Sequence, residues 1–307
     1  MPIKILVCDP IDPEGIEKLK KAGFNVDIAP SITKQDLEKR VQEYEVLIVR
    51  SRTKVTRKVI ECGKRLRLIA RAGVGLDNID LKAAEERRIT VINTPEASAD
   101  SVAELTIGLM IVLARQIILA DSLMKQGKWS KRELKGRLLK GKKLGLIGLG
   151  NIGLRVARIA KTMGMKILVT KRTPPSSELL ESLKADFLTL DELLRQSDII
   201  SIHVPLSEET KHMIGAEEIN KMKDGVLLIN TSRGGIVDEK ALLDALRSGK
   251  ICAAALDVYE VEPPQNFELI KMPNVVCTPH IGAQTFEAQK KASVILAEKI
   301  IRFFRSS

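Results

Sequence analysis

Apolar residues come in short runs along this chain, separated by longer stretches in which they recur at helical spacing. The runs Ile3–Cys8, Val46–Val49, Leu66–Ala70 and Thr90–Asn93 fill the first third. Leu144–Ile147, Ile167–Val169, Ile199–Val204, Val226–Asn230, Ile251–Leu256 and Val275–Thr278 follow. Such runs predict strands buried on both faces. The segments "DLKAAEERR" (Asp80–Arg88) and "EKALLDALRSG" (Glu239–Gly249) have helical patterns, the second closing on a glycine stop. Strand and helix in alternation mean a parallel sheet covered by helices.

One glycine-rich turn interrupts the pattern. In "LGLIGLGNIG" a strand runs into Gly148, Gly150, Asn151, Ile152 and Gly153, and the helix pattern "LRVARIAKTMG" follows. Gly148 permits the tight turn, Gly150 lets backbone approach a pyrophosphate, and Gly153 allows helix and strand to pack closely. A dinucleotide fold therefore starts near mid-chain, and the first third is predicted to be a separate α/β domain. The amphipathic tail Thr285–Arg305 has no strand after it and is predicted to return to that domain. The expected fold is α/β with two doubly wound parallel sheets and a cleft between them. Residues 1–97 plus 286–307 form a flavodoxin-like substrate domain, and 98–285 a Rossmann dinucleotide-binding domain.

At the end of the next strand, where an acid would hold the adenosine ribose, the chain reads Thr170, Lys171, Arg172, Thr173. Two cations there suit a 2′-phosphate. The cofactor expectation is thus NAD(H) or NADP(H), leaning to acceptance of NADP(H).

Composition narrows the class. Length 307 suits two domains, and one Trp, two Tyr and six Phe leave the cores to aliphatic residues. Four cysteines without a CxxC pair argue against a disulfide framework or a zinc site and for a reducing, cytoplasmic compartment. The opening "MPIKILVCDP" has no cleavable-signal pattern. Leu105–Ala114 is too short an apolar run to span a bilayer and predicts a buried helix. No membrane partner is expected. The net charge of +11 describes a basic surface, yet no basic run carries the interleaved aromatics that stack bases, so no nucleic acid is expected either. The sharpest charge feature is Lys125–Lys143, with nine Lys or Arg against Glu133 alone, which suits an anionic substrate or an exposed linker.

In a parallel sheet, ligands gather beyond the carboxyl ends of the strands. The positions there are Arg50, Arg71, His203, Arg233, Asp257, Glu262 and His280, taking two of the three histidines in the chain. Moving a hydride to or from a carbonyl carbon needs a proton carrier for the oxygen and a cation for any neighbouring carboxylate. His280 suits the first role with Glu262 behind it, and the planar fork of Arg233 the second.

These residues resemble the D-isomer-specific 2-hydroxyacid dehydrogenase family over nearly the whole chain. The carriers are "GLIGLGNIG" (145–153), "NTSRGGIVDEKALLDAL" (230–246), "ALDVYEVEPP" (255–264) and "TPHIGAQT" (278–285). The resemblance implies that Arg233, Glu262 and His280 are catalytic. It puts Thr231, Asp257, His280, Gly282 and Ala283 on the nicotinamide side and Val204 near the adenosine. The segments "VRSRTKVT" (49–56) and "ARAGVGLDNID" (70–80) are most similar to family members that oxidise 3-phosphoglycerate to 3-phosphohydroxypyruvate for serine synthesis. By that likeness Arg50 and Lys54, with Arg71, bind substrate anions. Val74 and Gly75 meet the substrate carboxylate through backbone N–H groups, Val74 also touching cofactor.

Two departures keep a second substrate class open. Lys171 replaces the acidic ribose ligand, and "EASADS" (96–101) departs from an Asn-containing pattern. The cation is similar to that of NADPH-using reductases of glyoxylate and hydroxypyruvate, and the second departure counts against a phosphorylated substrate. The family likeness further implies a homodimer with the helix from about Ser101 to Gln126 near its interface, and a small anionic hydroxy or keto acid as substrate. Because the sequence ends soon after its last helix, no serine feedback through a C-terminal regulatory domain is expected. Rivals from other classes are a dinucleotide-sensing corepressor, for which no peptide-binding surface is legible, and a nucleic-acid binder.

Overall fold

A computed structural model of the chain describes residues 2–305. They form two compact units, 2–99 with 283–305 and Asp100–Gly282.

The first unit is built on five parallel strands: β1 (Lys4–Val7), β2 (Asn25–Ile28), β3 (Val46–Val49), β4 (Leu68–Arg71) and β5 (Thr90–Asn93). Their order is β2-β1-β3-β4-β5, so the strand order reverses between β1 and β3. Alternate residues feed opposite cores, as strand geometry requires. Leu6, Leu47, Val49 and Ile69 pack with Leu37, Val59 and Ile60 on one face. Ile5, Val7, Ile48 and Leu68 pack with Leu19, Leu296 and Ile300 on the other. That second face is covered by the helices Pro13–Lys21 and Phe286–Arg305. They meet where Gly15 faces Ser293, whose backbone a Cβ at 15 would strike.

The second unit has seven parallel strands: β6 (Lys143–Ile147), β7 (Lys166–Thr170), β8 (Ala185–Phe187), β9 (Ile199–Ile202), β10 (Val226–Asn230), β11 (Ile251–Leu256) and β12 (Val275–Cys277). Their order is β12-β11-β10-β9-β6-β7-β8, with the reversal between β6 and β9. Ile147, Ile200, Ile202 and Leu228 face one core, while Leu144, Leu146, Ile199 and Leu227 face the other. Both α/β sheets anticipated from the sequence are present.

The structure corrects the sequence reading in two places. Strands β2 and β8 were not anticipated: both lie at a sheet edge, and "NVDI" and "ADF" carry no apolar run. The single helix expected over 101–126 is two, Ala99–Arg115 and Ile117–Lys125, bent by 63°. Gln116 takes a left-handed conformation (φ 53°) at the break. The carbonyl freed there at Ala114 accepts from Arg137 N (2.6 Å), and Gln116 Nε2 donates to Lys135 O (3.1 Å). The basic segment thus clamps the bend. Helix Ala99–Arg115 buries Ala103, Met110, Leu113 and Ala114 in the second unit's core. No single helix among the described residues is long and apolar enough to cross a membrane.

Candidate active site

The glycine turn follows β6 directly, at the reversal of the seven-stranded sheet. Gly148 has φ +98°, and a Cβ there would lie 2.5 Å from His203 O. Gly150 caps helix Asn151–Thr162 without a side-chain hydrogen bond and opens onto free space. A Cβ at Gly153 would strike Gly148 O. The loop can therefore come close to a pyrophosphate, whose charge the uncapped helix N–H groups favour, so these residues fit a dinucleotide. Because β6 lies between β7 and β9, Lys171 and Arg172 leave one side of this loop and Val204 the other. Both cations are exposed. Glu209 sits within Arg172's field: its carboxyl is held below the usual range by the Ser207 hydroxyl first, with Arg172 adding to the effect.

His203 directly follows β9, against Gly148 of the loop. Its Nε2 is 2.9 Å from Ser201 Oγ, and its Nδ1 is sealed from solvent with no partner among the described residues. Burial pushes its pKa down to about 4, so the ring is neutral at ordinary pH. A neutral imidazole under a phosphate loop adds no charge of its own.

At the end of β10, Asn230 shapes the turn that carries Arg233. Its Oδ1 accepts from Ser232 N (3.1 Å) and Ser232 Oγ (2.8 Å), while Nδ2 donates to Arg233 O (2.8 Å). Arg233 Nη1 donates to Ser232 O (2.7 Å). Next to it, Thr231 Oγ1 lies 2.8 Å from Thr106 Oγ1 on helix Ala99–Arg115. Thr106 commits its proton to Val102 O (2.7 Å), so Thr231 donates to Thr106 and keeps only lone pairs for anything else.

Asp257, 1% exposed, directly follows β11 and gathers the segment after β12. Its carboxylate accepts from Thr278 Oγ1 (2.6 Å), Ile281 N (2.8 Å) and Gly282 N (2.9 Å). His280 sits inside that wrapped segment with a left-handed φ of 53°. Its Nδ1 is 3.0 and 2.8 Å from the two carboxylate oxygens of Glu262. Burial alone would raise the Glu262 carboxyl. The His280 hydrogen bond and charge, joined by Arg233, outweigh it and hold the group below the usual carboxylate range. An ionised carboxylate only accepts, so Nδ1 carries the proton and Nε2 is the nitrogen available for chemistry. Arg233, Glu262 and His280 therefore form one electrostatically coupled group.

The first unit carries the remaining candidates. Arg50 follows β3 at the reversal of the five-stranded sheet and lines a small cavity with Ile11, Gly73, Ser98, Ala283 and Gln289. Ser98 Oγ is buried there without a partner among the described residues. Arg71 ends β4 and lies over Gly73, where any Cβ would strike its guanidinium. The backbone after it is pinned: Gly73 N donates to Thr94 Oγ1 (2.9 Å), and Asn93 Nδ2 to Val74 O (2.6 Å). No described residue accepts from the N–H groups of Val74 or Gly75. Lys54 is exposed. Ser98, Gln289, Asn230 and Thr106 were not singled out from sequence. Asn230, the last residue of a predicted strand, could have been.

Fold and loop define a dinucleotide-dependent oxidoreductase. Residues 107–282 match the family model described as D-isomer specific 2-hydroxyacid dehydrogenase, NAD binding domain. The chain is 49% identical to a hydroxypyruvate reductase of Thermotoga maritima over 97% of both chains. It is 48% identical to a D-3-phosphoglycerate dehydrogenase of Methanocaldococcus jannaschii, over 99% of this chain and 58% of that one. This chain thus spans little more than half the length of that relative. A solved glyoxylate reductase from Paecilomyes thermophila has a TM-score of 0.90 at 33% identity, covering 97% of this chain and 94% of its own. The chain belongs to the D-isomer-specific 2-hydroxyacid dehydrogenase family, as its motifs indicated.

Proposed function

We propose that the protein interconverts 3-phosphoglycerate and 3-phosphohydroxypyruvate. The observation that carries the phosphorylated substrate is Arg50, a cation at a sheet reversal beside the unpartnered Ser98 hydroxyl. When bound, the nicotinamide supplies the hydride acceptor or donor. His280 Nε2 takes the C2 hydroxyl proton in oxidation and returns it in reduction, and Glu262 stabilises the imidazolium. Arg233 holds the substrate carboxylate, as do the N–H groups of Val74 and Gly75, while Arg50, Lys54 and Arg71 attract the phosphate.

The family relatives named for hydroxypyruvate and glyoxylate reduction favour a second reading, in which the substrate lacks phosphate. The deciding experiment is kcat/KM for 3-phosphohydroxypyruvate against glyoxylate, with NADH and with NADPH. A preference of tenfold or more for the phosphorylated ketoacid supports the first reading, and the reverse order establishes the second. Lys171 and Arg172 support acceptance of NADPH.

A homodimer completes the proposal. Helix Ile117–Lys125 buries none of its residues and exposes Ile117, Ile118, Leu119 and Met124, with Trp129 78% exposed nearby in sequence. Sedimentation at twice the mass of 33.9 kDa is expected.

A further inference from the structure

The sequence "RSRTK" offers two arginines for one anion, and the structure treats them differently. Arg52 is consumed. Its Nε pairs with Asp9 Oδ1 (3.0 Å), Nη2 donates to Cys8 O (2.6 Å), and Nη1 to Ile32 O (3.1 Å). Arg50 makes one long bond from Nη1 to Pro10 O (3.3 Å) and has no ion pair among the described residues. Only Arg50 retains an unmatched positive charge.

What separates the two is a clamp on the turn between them. Asp9, 1% exposed at the end of β1, accepts from Arg50 N (2.6 Å), Thr53 N (3.2 Å) and Thr53 Oγ1 (2.7 Å). Asn78 Nδ2 donates to Arg50 O (2.8 Å) and Thr53 O (2.6 Å). The N–H groups of residues 50 and 53 are thus held by one side chain and their carbonyls by another. With both peptide ends fixed, the turn has one orientation, and each arginine one direction to leave it.

We propose that Asp9 and Asn78 are positioning residues that present Arg50, and not Arg52, to the second anionic group of the substrate, and so set the preference for a phosphorylated ketoacid. This rests on the Arg50 reading above. The carboxylate does two jobs: it neutralises Arg52 and fixes the Arg50 amide. An amide at position 9 would put a donor against donors and leave Arg52 without its counter-ion.

The test is a double-mutant cycle on the full chain. Asp9→Asn and Asn78→Ala are each expected to lower the kcat/KM ratio of 3-phosphohydroxypyruvate over glyoxylate about tenfold, through KM of the phosphorylated substrate and not kcat. In an Arg50→Ala background either change should alter that ratio less than twofold, because the residue they act through is gone. Equal losses on both substrates, or additive losses with Arg50→Ala, would overturn the proposal as a general folding effect. Asn78→Ala keeps the test open where Asp9→Asn does not fold. If Arg50→Ala alone leaves the ratio unchanged, the phosphate reading of Arg50 falls and the positioning role with it. If Arg50→Ala acts but the clamp variants do not, only the positioning role falls.

Discussion

Nδ1 of His280 lies 2.8 Å from Oε2 of Glu262, and that contact fixes which imidazole nitrogen can work. The carboxyl is held below its usual range, so it stays an anion beside the ring. Glu262→Gln keeps an acceptor but removes the charge. The imidazolium formed when the ring carries the substrate proton then loses its counter-ion, and a fall in kcat/KM of about 100-fold is expected. Initial rates on Glu262→Gln, alone and combined with His280→Ala, check this; a loss that persists in the His280→Ala background would mean Glu262 acts other than through His280.

His280→Ala removes the proton carrier itself. Turnover should fall by about 1,000-fold or more. NADH binding, followed by fluorescence, should change little, because the glycine loop is built from Gly148, Gly150 and Gly153 elsewhere in the unit. Loss of cofactor binding alongside activity would make His280 a structural residue.

Lys171 and Arg172 follow β7 in the open, with Glu209 drawing on the charge of Arg172. Lys171 is the less encumbered cation for a 2′-phosphate. Lys171→Asp would put an acid where ribose hydroxyls are held and a phosphate repelled. The NADPH-to-NADH ratio of kcat/KM should drop about tenfold or more. An unchanged ratio would show that this strand end does not contact the adenosine ribose.

The elements legible in the sequence were those with an apolar run. Val46–Val49 is apolar throughout and Val226–Asn230 apolar up to its final Asn, and both were placed to the residue. Edge strands β2 and β8 bury one side at most, so their polar residues hid them. The break at Gln116 was invisible because its cause is tertiary: the partners of Ala114 and Gln116 lie on residues 135–137. The candidate site residues were picked out by their chemistry at the carboxyl ends of strands. Residues that act on backbone, such as Asn230 and Asp9, bring no reactive group of their own, so even inside the motif that opens at residue 230 Asn230 drew no role. Asp9 nevertheless sits at a strand's carboxyl end, where the same rule that found Arg50 applied.

His203 gives the chain an acid-sensitive element. Its pKa is lowered from 6.5 to about 4 by burial, so between those values the unfolded chain binds a proton that the native state refuses. Stability present above pH 6.5 is therefore lost as pH falls toward 4. The slope attributable to this one group is up to about 1.4 kcal/mol per pH unit. Urea unfolding across that window should show a shallower pH dependence for His203→Asn, by as much as one proton. Parallel curves would mean the ring is protonated in the native state.

Two neighbouring glycines should respond oppositely to one added methyl group. Gly234 follows Arg233 and is packed on the backbone of Tyr259 and Glu260, where a Cβ has no space. Backbone yields less readily than a side-chain tip, so Gly234→Ala must displace the turn, at about 1–3 kcal/mol. Since Asn230 ties Arg233 to that turn, KM for the ketoacid should rise with the loss of stability. At Gly235 a Cβ would meet only Leu206 side-chain carbons, at 3.5 and 3.6 Å, an ordinary contact. Gly235→Ala should leave both Tm and KM near those of the parent protein. Thermal melts and initial rates on the pair decide it: equal tolerance at both positions would mean the Arg233 turn is not fixed by its approach to Tyr259.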